Sequence, residues 1–186
     1  MLINNDTIIK DTNPIIREKS LDVSLPLSKE DRDLLMDMLT YVKESTDETI
    51  AKEKNLRPAV GISAIQVGIK KKLTAIALKD EDGNFVYEYA LVNPKIISYS
   101  IEKTYLKTGE GCLSVEHEHE GYIHRSKRIK VRAYDALNDK DVILKLSGYL
   151  AVIFQHELDH FKGILFYDHI NLDDPFYIED NSEVIE

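Results

Sequence analysis

The stretch "SGYLAVIFQHELDHFKG" (residues 147–163) decides the fold. Its apolar residues recur at helical spacing, with Ser147 as a possible N-cap and Gly163 placed to end the helix. Residues four apart lie on one helix face, so His156 and His160 can direct two imidazole nitrogens at one ion. Glu157 lies between them, at the position that serves as a general base when an HExxH pattern binds a catalytic metal. Because burying these polar groups on an apolar helix is costly unless a partner satisfies them, the pattern predicts a metal site.

The rest of the chain supplies a second helix and several strands. Residues 28–45 have helical periodicity, and Ser28 with Asp31 resembles a capping box at their start. Turn residues around 82–83 and 138–139 indicate two hairpins. The predicted strands are 72–78, 85–94, 128–135 and 141–146. This order predicts an α+β fold, with mixed or antiparallel sheets packed around the central helix that carries the HExxH pattern.

Length and composition favour one soluble domain over residues 1–186. The net charge of −9 argues against direct nucleic-acid binding, and no apolar run is long enough for a membrane span. The first residues lack the basic and apolar segments of a secretion signal, and one cysteine cannot form an internal disulfide. We therefore expect a cytoplasmic monomer, with an acidic tail at 173–186 that is solvated and partly frayed.

Two histidines are too few for a catalytic metal, which normally has three protein ligands and one open position. Downstream of His160 lie His169 and several acids, which a metallopeptidase of the HExxH type would use. Upstream, the segment "TGEGCLSVE" (108–116) presents Cys112 directly after Gly111. A thiolate with two imidazoles would make a Cys-His-His site. A closed, non-catalytic structural metal site is a third alternative, and in that case Glu157 would be dispensable.

The apolar stretch "AVGISAIQVG" (59–68) carries one amide, Gln66. An amide among small residues could donate a hydrogen bond to a carbonyl oxygen as negative charge develops on it. An ordinary strand or tight loop would have the same composition, so this segment alone leaves both interpretations open.

Taken together, three motifs make the sequence resemble the peptide deformylase family. The family patterns G-φ-G-φ-A-A-x-Q, E-G-C-φ-S and Q-H-E-φ-D-H stand here as "AVGISAIQ" (59–66), "EGCLS" (110–114) and "QHELDH" (155–160). The longer spacer before residue 59 and the segment 110–125 resemble the Gram-positive, longer-insertion branch. Ala59 and Ser63 depart from the first motif, and Glu120 stands where that branch often has proline. Ala59 and Ser63 would reshape the substrate groove.

The resemblance implies hydrolysis of the formyl group from the N-terminal formylmethionine of new polypeptides, with release of formate. It implies Cys112, His156 and His160 as ligands of one divalent metal, whose bound water attacks the formyl carbonyl with Glu157 as general acid/base. Gln66 and the Leu113 backbone N–H would stabilise the oxyanion. The residues implied to bind substrate are Val60, Gly61, Glu110, Gly111, Tyr149, Val152 and Ile153. The partners would be N-formylmethionyl nascent peptides near the ribosome.

The donor set of one sulfur and two nitrogens accepts several metals. The family suggests Fe(II) in the cell, with Zn, Ni or Co as replacements. The family pattern further suggests that Arg125 pairs with Glu110.

Other polar residues near the motifs have two interpretations. His117 and His119 could share a strand face and bind a second metal, although solvated loop residues are favoured because acids flank them. Asp159 and Asp168 could orient a ligand histidine or could simply be solvated.

Overall fold

The computed structural model describes all residues, 1–186. Three α-helices are present: α1 (Lys29–Ser45), α2 (Glu48–Lys54) and α3 (Gly148–His160). The eight strands are β1 (Gly61–Ser63), β2 (Leu73–Lys79), β3 (Phe85–Tyr99), β4 (Lys103–Leu106), β5 (Arg125–Ser126), β6 (Arg128–Asp135), β7 (Lys140–Ser147) and β8 (Ser182–Ile185). None of the helices combines the length and the apolar character that crossing a membrane requires. The predicted α+β class is confirmed.

Helix α1 begins where its capping signal predicts. The Ser28 side chain accepts the Asp31 backbone N–H at 3.1 Å, which satisfies one of the free donors of the first turn. The helix buries one apolar face, including Leu35, Met38 and Val42, in the larger of the hydrophobic clusters. That cluster also contains the inward residues of β2, so α1 packs on one side of the sheet.

Five strands form an antiparallel sheet in the order β1-β2-β3-β6-β7. Both predicted hairpins are present, β2–β3 and β6–β7. Strand β3 is longer than the predicted 85–94 and continues to Tyr99. Its pairing with β6 shifts register between Val92 and Lys95. Pro94, the predicted end of the strand, has no backbone N–H to donate to the neighbouring strand. The register shift accommodates this residue, so the strand continues beyond it.

Helix α3 lies against the inner face of the β6–β7 hairpin. Phe154 and Leu158 pack in one apolar cluster with Ile129, Val131 and Leu146. Ser147 occupies the N-cap position, but its side chain makes no capping hydrogen bond. The helix itself ends at His160, three residues before the predicted stop.

Gly163 nevertheless fixes the turn that follows the helix. It has φ +71°, and a Cβ there would lie 2.0 Å from the Arg17 carbonyl oxygen. A residue with a side chain would therefore force the N-terminal segment away from this turn.

The tail is largely exposed, as expected, but its end is an ordered strand, which contradicts the prediction that it is partly frayed. Strand β8 pairs in parallel with β4 and completes a second, three-stranded sheet in the order β5-β4-β8. Glu186 accepts a hydrogen bond from Lys107 at 2.5 Å, and Glu183 pairs with Lys127. The free edge of β4 supplies backbone partners, so acidic composition did not prevent strand formation.

Candidate active site

The predicted metal ligands come together although Cys112 is distant in sequence. The ligand atoms of Cys112, His156 and His160 all lie within 4.8 Å of one another. Bonds from a Zn-like ion are about 2.3 Å to sulfur and about 2.0–2.1 Å to nitrogen. Two ligand atoms bound to one such ion must therefore lie within a few ångströms of each other, as these atoms nearly do. A thiolate and two imidazoles form a donor set that suits Zn, Fe(II), Co or Ni. The three residues therefore fit a single divalent metal.

Electrostatics favour the ligand form of the sulfur. Burial raises the pKa of the Cys112 thiol, but the charge of His160 and hydrogen bonds from both histidines outweigh it, so the pKa is lowered well below its usual value. Burial likewise lowers the pKa of His156, while hydrogen bonds with Cys112 and Glu110 reverse this and raise it well above the usual value. A thiolate is the species that binds a metal.

A chain of buried charges orients His156. Its Nδ1 lies 2.8 Å from Glu110 Oε2, which leaves Nε2 as the ligand atom. Arg125 donates to both oxygens of Glu110, at 2.7 and 2.9 Å, and to Asp159 at 2.8 Å. The Arg125 and Glu110 side chains are each only 4 % exposed.

This network also determines how its carboxylates ionise. Burial raises the pKa of Glu110, but the charge and hydrogen bonds of Arg125 with those of His156 bring it down to about 2. Burial opposes ionisation of Asp159 in the same way, and His169 and Arg125 lower its pKa to about 2. Both acids are therefore charged at neutral pH, and the predicted pairing of Arg125 with Glu110 is present.

The buried side chain of Glu157, on α3, packs against residues of strand β1. Ser63 donates its hydroxyl to Glu157 Oε2 at 2.8 Å, in addition to a contact with the Glu157 carbonyl oxygen. A Cβ on Gly61 would lie 2.6 Å from Glu157 Oε1, so only glycine leaves room for the carboxylate. Burial raises the pKa of Glu157, while the two histidines and Ser63 partly oppose that effect.

Gln66 lies on the short 3₁₀ turn after β1, with a fixed amide orientation. Its Oε1 accepts the Ser63 backbone N–H at 2.8 Å, so Nε2 faces Cys112 Sγ at 3.5 Å and Ser114 Oγ at 3.3 Å. The backbone N–H of Leu113 donates no backbone hydrogen bond elsewhere in the chain. Two donors therefore stand beside the thiolate, on the side that opens into the cleft.

A cleft of about 370 Å³ opens over these groups. Its walls include every predicted site residue except His160, which lies behind them: Val60, Gly61, Gln66, Glu110, Gly111, Cys112, Leu113, Tyr149, Val152, Ile153, His156 and Glu157. The sequence prediction missed other walls, namely Thr46, Arg57, Pro58, Leu106, Thr108 and Gly109. The first four lie outside the three motifs, and Thr108 and Gly109 precede the EGCLS motif, so no motif position identified them. Ala59 lines the cleft, whereas Ser63, which was also expected to reshape the groove, is fully buried, is not among its walls and contacts Glu157 instead.

The remaining polar candidates lie outside the metal cluster. His169 contacts Asp159 at 2.7 Å, so the downstream ligand that a metallopeptidase would need is absent. His117 and His119 are exposed loop residues, as favoured, and form no second cluster. Asp159 contacts Arg125, and Asp168 pairs with Arg17, so neither touches a ligand histidine. Neither the peptidase nor the closed structural site is supported, since no fourth protein ligand joins the three.

Comparison with known proteins agrees with these motifs. Residues 5–175 match the family model described as polypeptide deformylase. A peptide deformylase of Oceanobacillus iheyensis is 48 % identical over 185 residues, covering 100 % of both chains. Peptide deformylase 2 of Bacillus cereus is 46 % identical over 179 residues, covering 96 % of each. These relatives agree with the Gram-positive branch that the sequence resembles.

Solved structures extend the likeness to the whole fold. A class I type b peptide deformylase from Acinetobacter baumannii, crystallised with Met-Ala-Ser bound, superposes with a TM-score of 0.70 and 29 % identity. The match covers 91 % of this chain and 100 % of that one. The motifs, the Cys-His-His cluster and these matches lead to one conclusion: the chain belongs to the polypeptide deformylase family.

Proposed function

We propose that the chain hydrolyses the formyl group from N-formylmethionyl peptides and releases formate. The observation that carries this proposal is the placement of a buried Glu157 beside the Cys112, His156 and His160 cluster in one cleft. Family membership supplies the reaction class, and a structural relative is described with Met-Ala-Ser bound. That tripeptide is what a formylated peptide becomes after deformylation.

Cys112, His156 and His160 would hold one divalent metal, with Fe(II) as the native ion and Zn, Ni or Co as substitutes. When bound, such a metal supplies Lewis acidity that lowers the pKa of its water toward neutrality. Glu110 fixes the His156 ring so that Nε2 stays available for coordination.

Glu157 is the proton carrier in this proposal. Its carboxylate takes a proton from the attacking water and passes one to the departing amine. Burial raises the pKa of this group, which brings it nearer the working pH and improves both transfers. Ser63 and the space left by Gly61 keep the carboxylate in one position.

Gln66 and Leu113 would stabilise the charge that develops on the formyl oxygen. The Gln66 amide is oriented before substrate arrives, because the Ser63 backbone N–H holds its oxygen. Pre-oriented donors cost no rearrangement during the reaction, so they stabilise the transition state more than water would.

The apolar walls of the cleft suit a methionine side chain. Val60, Tyr149, Val152 and Ile153 all line the cleft and supply its apolar surface. Beside Gly111, which precedes Cys112, the cleft is open, since nothing lies within 4 Å of where a Cβ on Gly111 would be. We further propose that the chain acts as a monomer, since one chain supplies the complete cleft, and that it acts in the cytoplasm on nascent peptides near the ribosome.

Formate release from formyl-Met-Ala-Ser tests the proposed function, using metal-loaded protein purified without oxygen. We expect about one metal per chain and turnover within the usual enzymatic range of about 1–10³ per second. Met-Ala-Ser, which lacks the formyl group, serves as the control substrate and should remain intact. Cleavage of that peptide, or no formate despite full metal occupancy, would refute the deformylase assignment.

Replacing Ser63 with alanine should shift the acidic limb of the kcat/KM profile to higher pH. The Ser63 hydroxyl favours the Glu157 carboxylate and lowers its pKa, so its removal lets the pKa rise further. As the pH falls, a base with a higher pKa becomes protonated, and therefore inactive, at a higher pH. Because one hydrogen bond to a charged group is worth about 1.5–3 kcal/mol, we expect the limb to move by about 1–2 pH units, with a loss of about tenfold or more on its acidic side and little change above it.

The matched control for this prediction is Ser20→Ala, which removes another buried serine hydroxyl, one that has no partner. It should leave the pH profile unchanged. An unchanged profile for Ser63→Ala, with normal metal content, would show that the hydroxyl does not act on Glu157.

A further inference from the structure

The outer face of the sheet formed by β3, β6 and β7 carries four exposed cations, Lys95, Lys130, Arg132 and Lys145. Side chains alternate between the two faces of a strand, and directly opposite residues share a face. On β6 the alternation is strict, with Ile129 and Val131 buried and Lys130 and Arg132 exposed. The four cations therefore form one surface, which we name the cationic sheet face.

These cations oppose one another across the strands. Lys130 pairs in register with Lys145, and Lys95 pairs with Arg132. Like charges directly opposite in a sheet are destabilising. None of the four takes part in an ion pair within the chain; Arg128, on the same face, is neutralised by Glu102 at 2.6 Å. Two repulsive cross-strand pairs are thus kept in a chain whose net charge is −9.

Other charged groups near this face leave it positive. On the outer face of the β6–β7 pair, Asp141 is the one acidic residue. It lies opposite Tyr134 and makes no ion pair. Asp139, at the end of the hairpin, is engaged by Arg32 at 2.5 Å. Of the acids in the C-terminal segment, Glu183 pairs with Lys127 and Glu186 pairs with Lys107, neither of which belongs to the cationic sheet face. The four cations remain available to an external anion.

The net charge of −9 argues against nucleic-acid binding by the chain as a whole, but this face is locally positive, and we propose that the cationic sheet face binds the phosphate backbone of RNA. A row of cations two residues apart along β6 repeats about every 6–7 Å, which suits a partner whose charges also repeat at regular intervals. Lysine ammonium groups act as point charges toward phosphate. A folded protein partner would need an apolar interface core, whereas the large apolar side chains exposed on these strands near the cations are Ile143 on β7 and Ile97 and Tyr99 on β3, a small set for such a core. The contacts would be to backbone and independent of base sequence.

The location of this face is compatible with activity in the cleft. Helix α3 packs on the opposite, inner side of the same sheet through Phe154 and Leu158. RNA on the outer side would leave the entrance to the cleft free for a peptide. Binding and hydrolysis are therefore expected to be independent of each other.

Fluorescence anisotropy with a labelled oligouridylate and the full metal-loaded chain tests this proposal. Four phosphate contacts predict that log K falls with log salt at a slope of about −3 for a single strand. Lys130→Glu and Lys145→Glu should each weaken binding by about tenfold at low salt and reduce the slope by about 1. Each substitution also converts a repulsive cross-strand pair into an attractive one, so the melting temperature should not fall.

Lys52→Glu is the control, because it makes the same charge change at an exposed lysine on α2. It should change affinity by less than about twofold, and all three variants should release formate at the wild-type rate. No salt-dependent RNA binding by the wild type, or an equal loss in Lys52→Glu, would overturn the proposal. Tighter binding to polyglutamate or to anionic vesicles than to RNA would overturn the assignment of the partner.

Discussion

Replacing Glu157 with glutamine is expected to reduce formate release from formyl-Met-Ala-Ser by about 10²–10⁴-fold, the usual contribution of a positioned general acid/base. Glutamine keeps the size of the side chain and can still accept the Ser63 hydrogen bond, but it cannot take a proton from water. The loss should appear in kcat, with metal content and folding unchanged. Rate measurements on metal-quantified protein check this.

A matched control separates the role of Glu157 from a general effect of lost charge. Glu53 is exposed on α2 and does not line the cleft, and Glu53→Gln makes the same chemical change. It should retain full activity. A Glu157→Gln variant with near-normal activity would remove the general-base assignment and would favour a structural role for the metal.

Replacing Arg125 with alanine is expected to destabilise the fold by about 3–5 kcal/mol, because it leaves buried carboxylates without their counterion. Arg125 is the shared partner of Glu110 and Asp159, both charged in the native protein, with pKa values of about 2. Activity should fall as well, since Glu110 would no longer be held against His156. Urea denaturation of the metal-loaded protein measures the stability change.

Arg128→Ala provides the matched comparison, three residues further along the chain. Its ion pair with Glu102 is exposed, with side chains 53 % and 54 % accessible, so solvent screens it and its removal should change stability little. Arg125→Lys should fall between the two, because lysine keeps the charge but not the paired hydrogen bonds to Glu110. Equal stability of Arg125→Ala and Arg128→Ala would show that the buried network of Arg125, Glu110 and Asp159 does not stabilise the fold.

The sequence by itself determined the features that depend on local periodicity and turn chemistry. The helix with His156 and His160 one turn apart, the capping of α1 by Ser28, and both hairpins follow from residues close together in the chain. The resemblance carried by the EGCLS motif implied Cys112 as the third member of the cluster, whereas the residues alone left His169 and several acids open, and the structure places Cys112 with the two histidines.

Only the tertiary structure decided the interactions between distant segments. Ser63 and Glu157 are 94 positions apart, and their contact exists because β1 packs against α3. The acidic tail became β8 because β4 offered a free edge, a partner that no composition reveals. The cationic sheet face arises from strand register, which places Lys130 opposite Lys145. Local sequence specifies what each segment can form, while packing and register, set by the whole chain, determine which side chains meet.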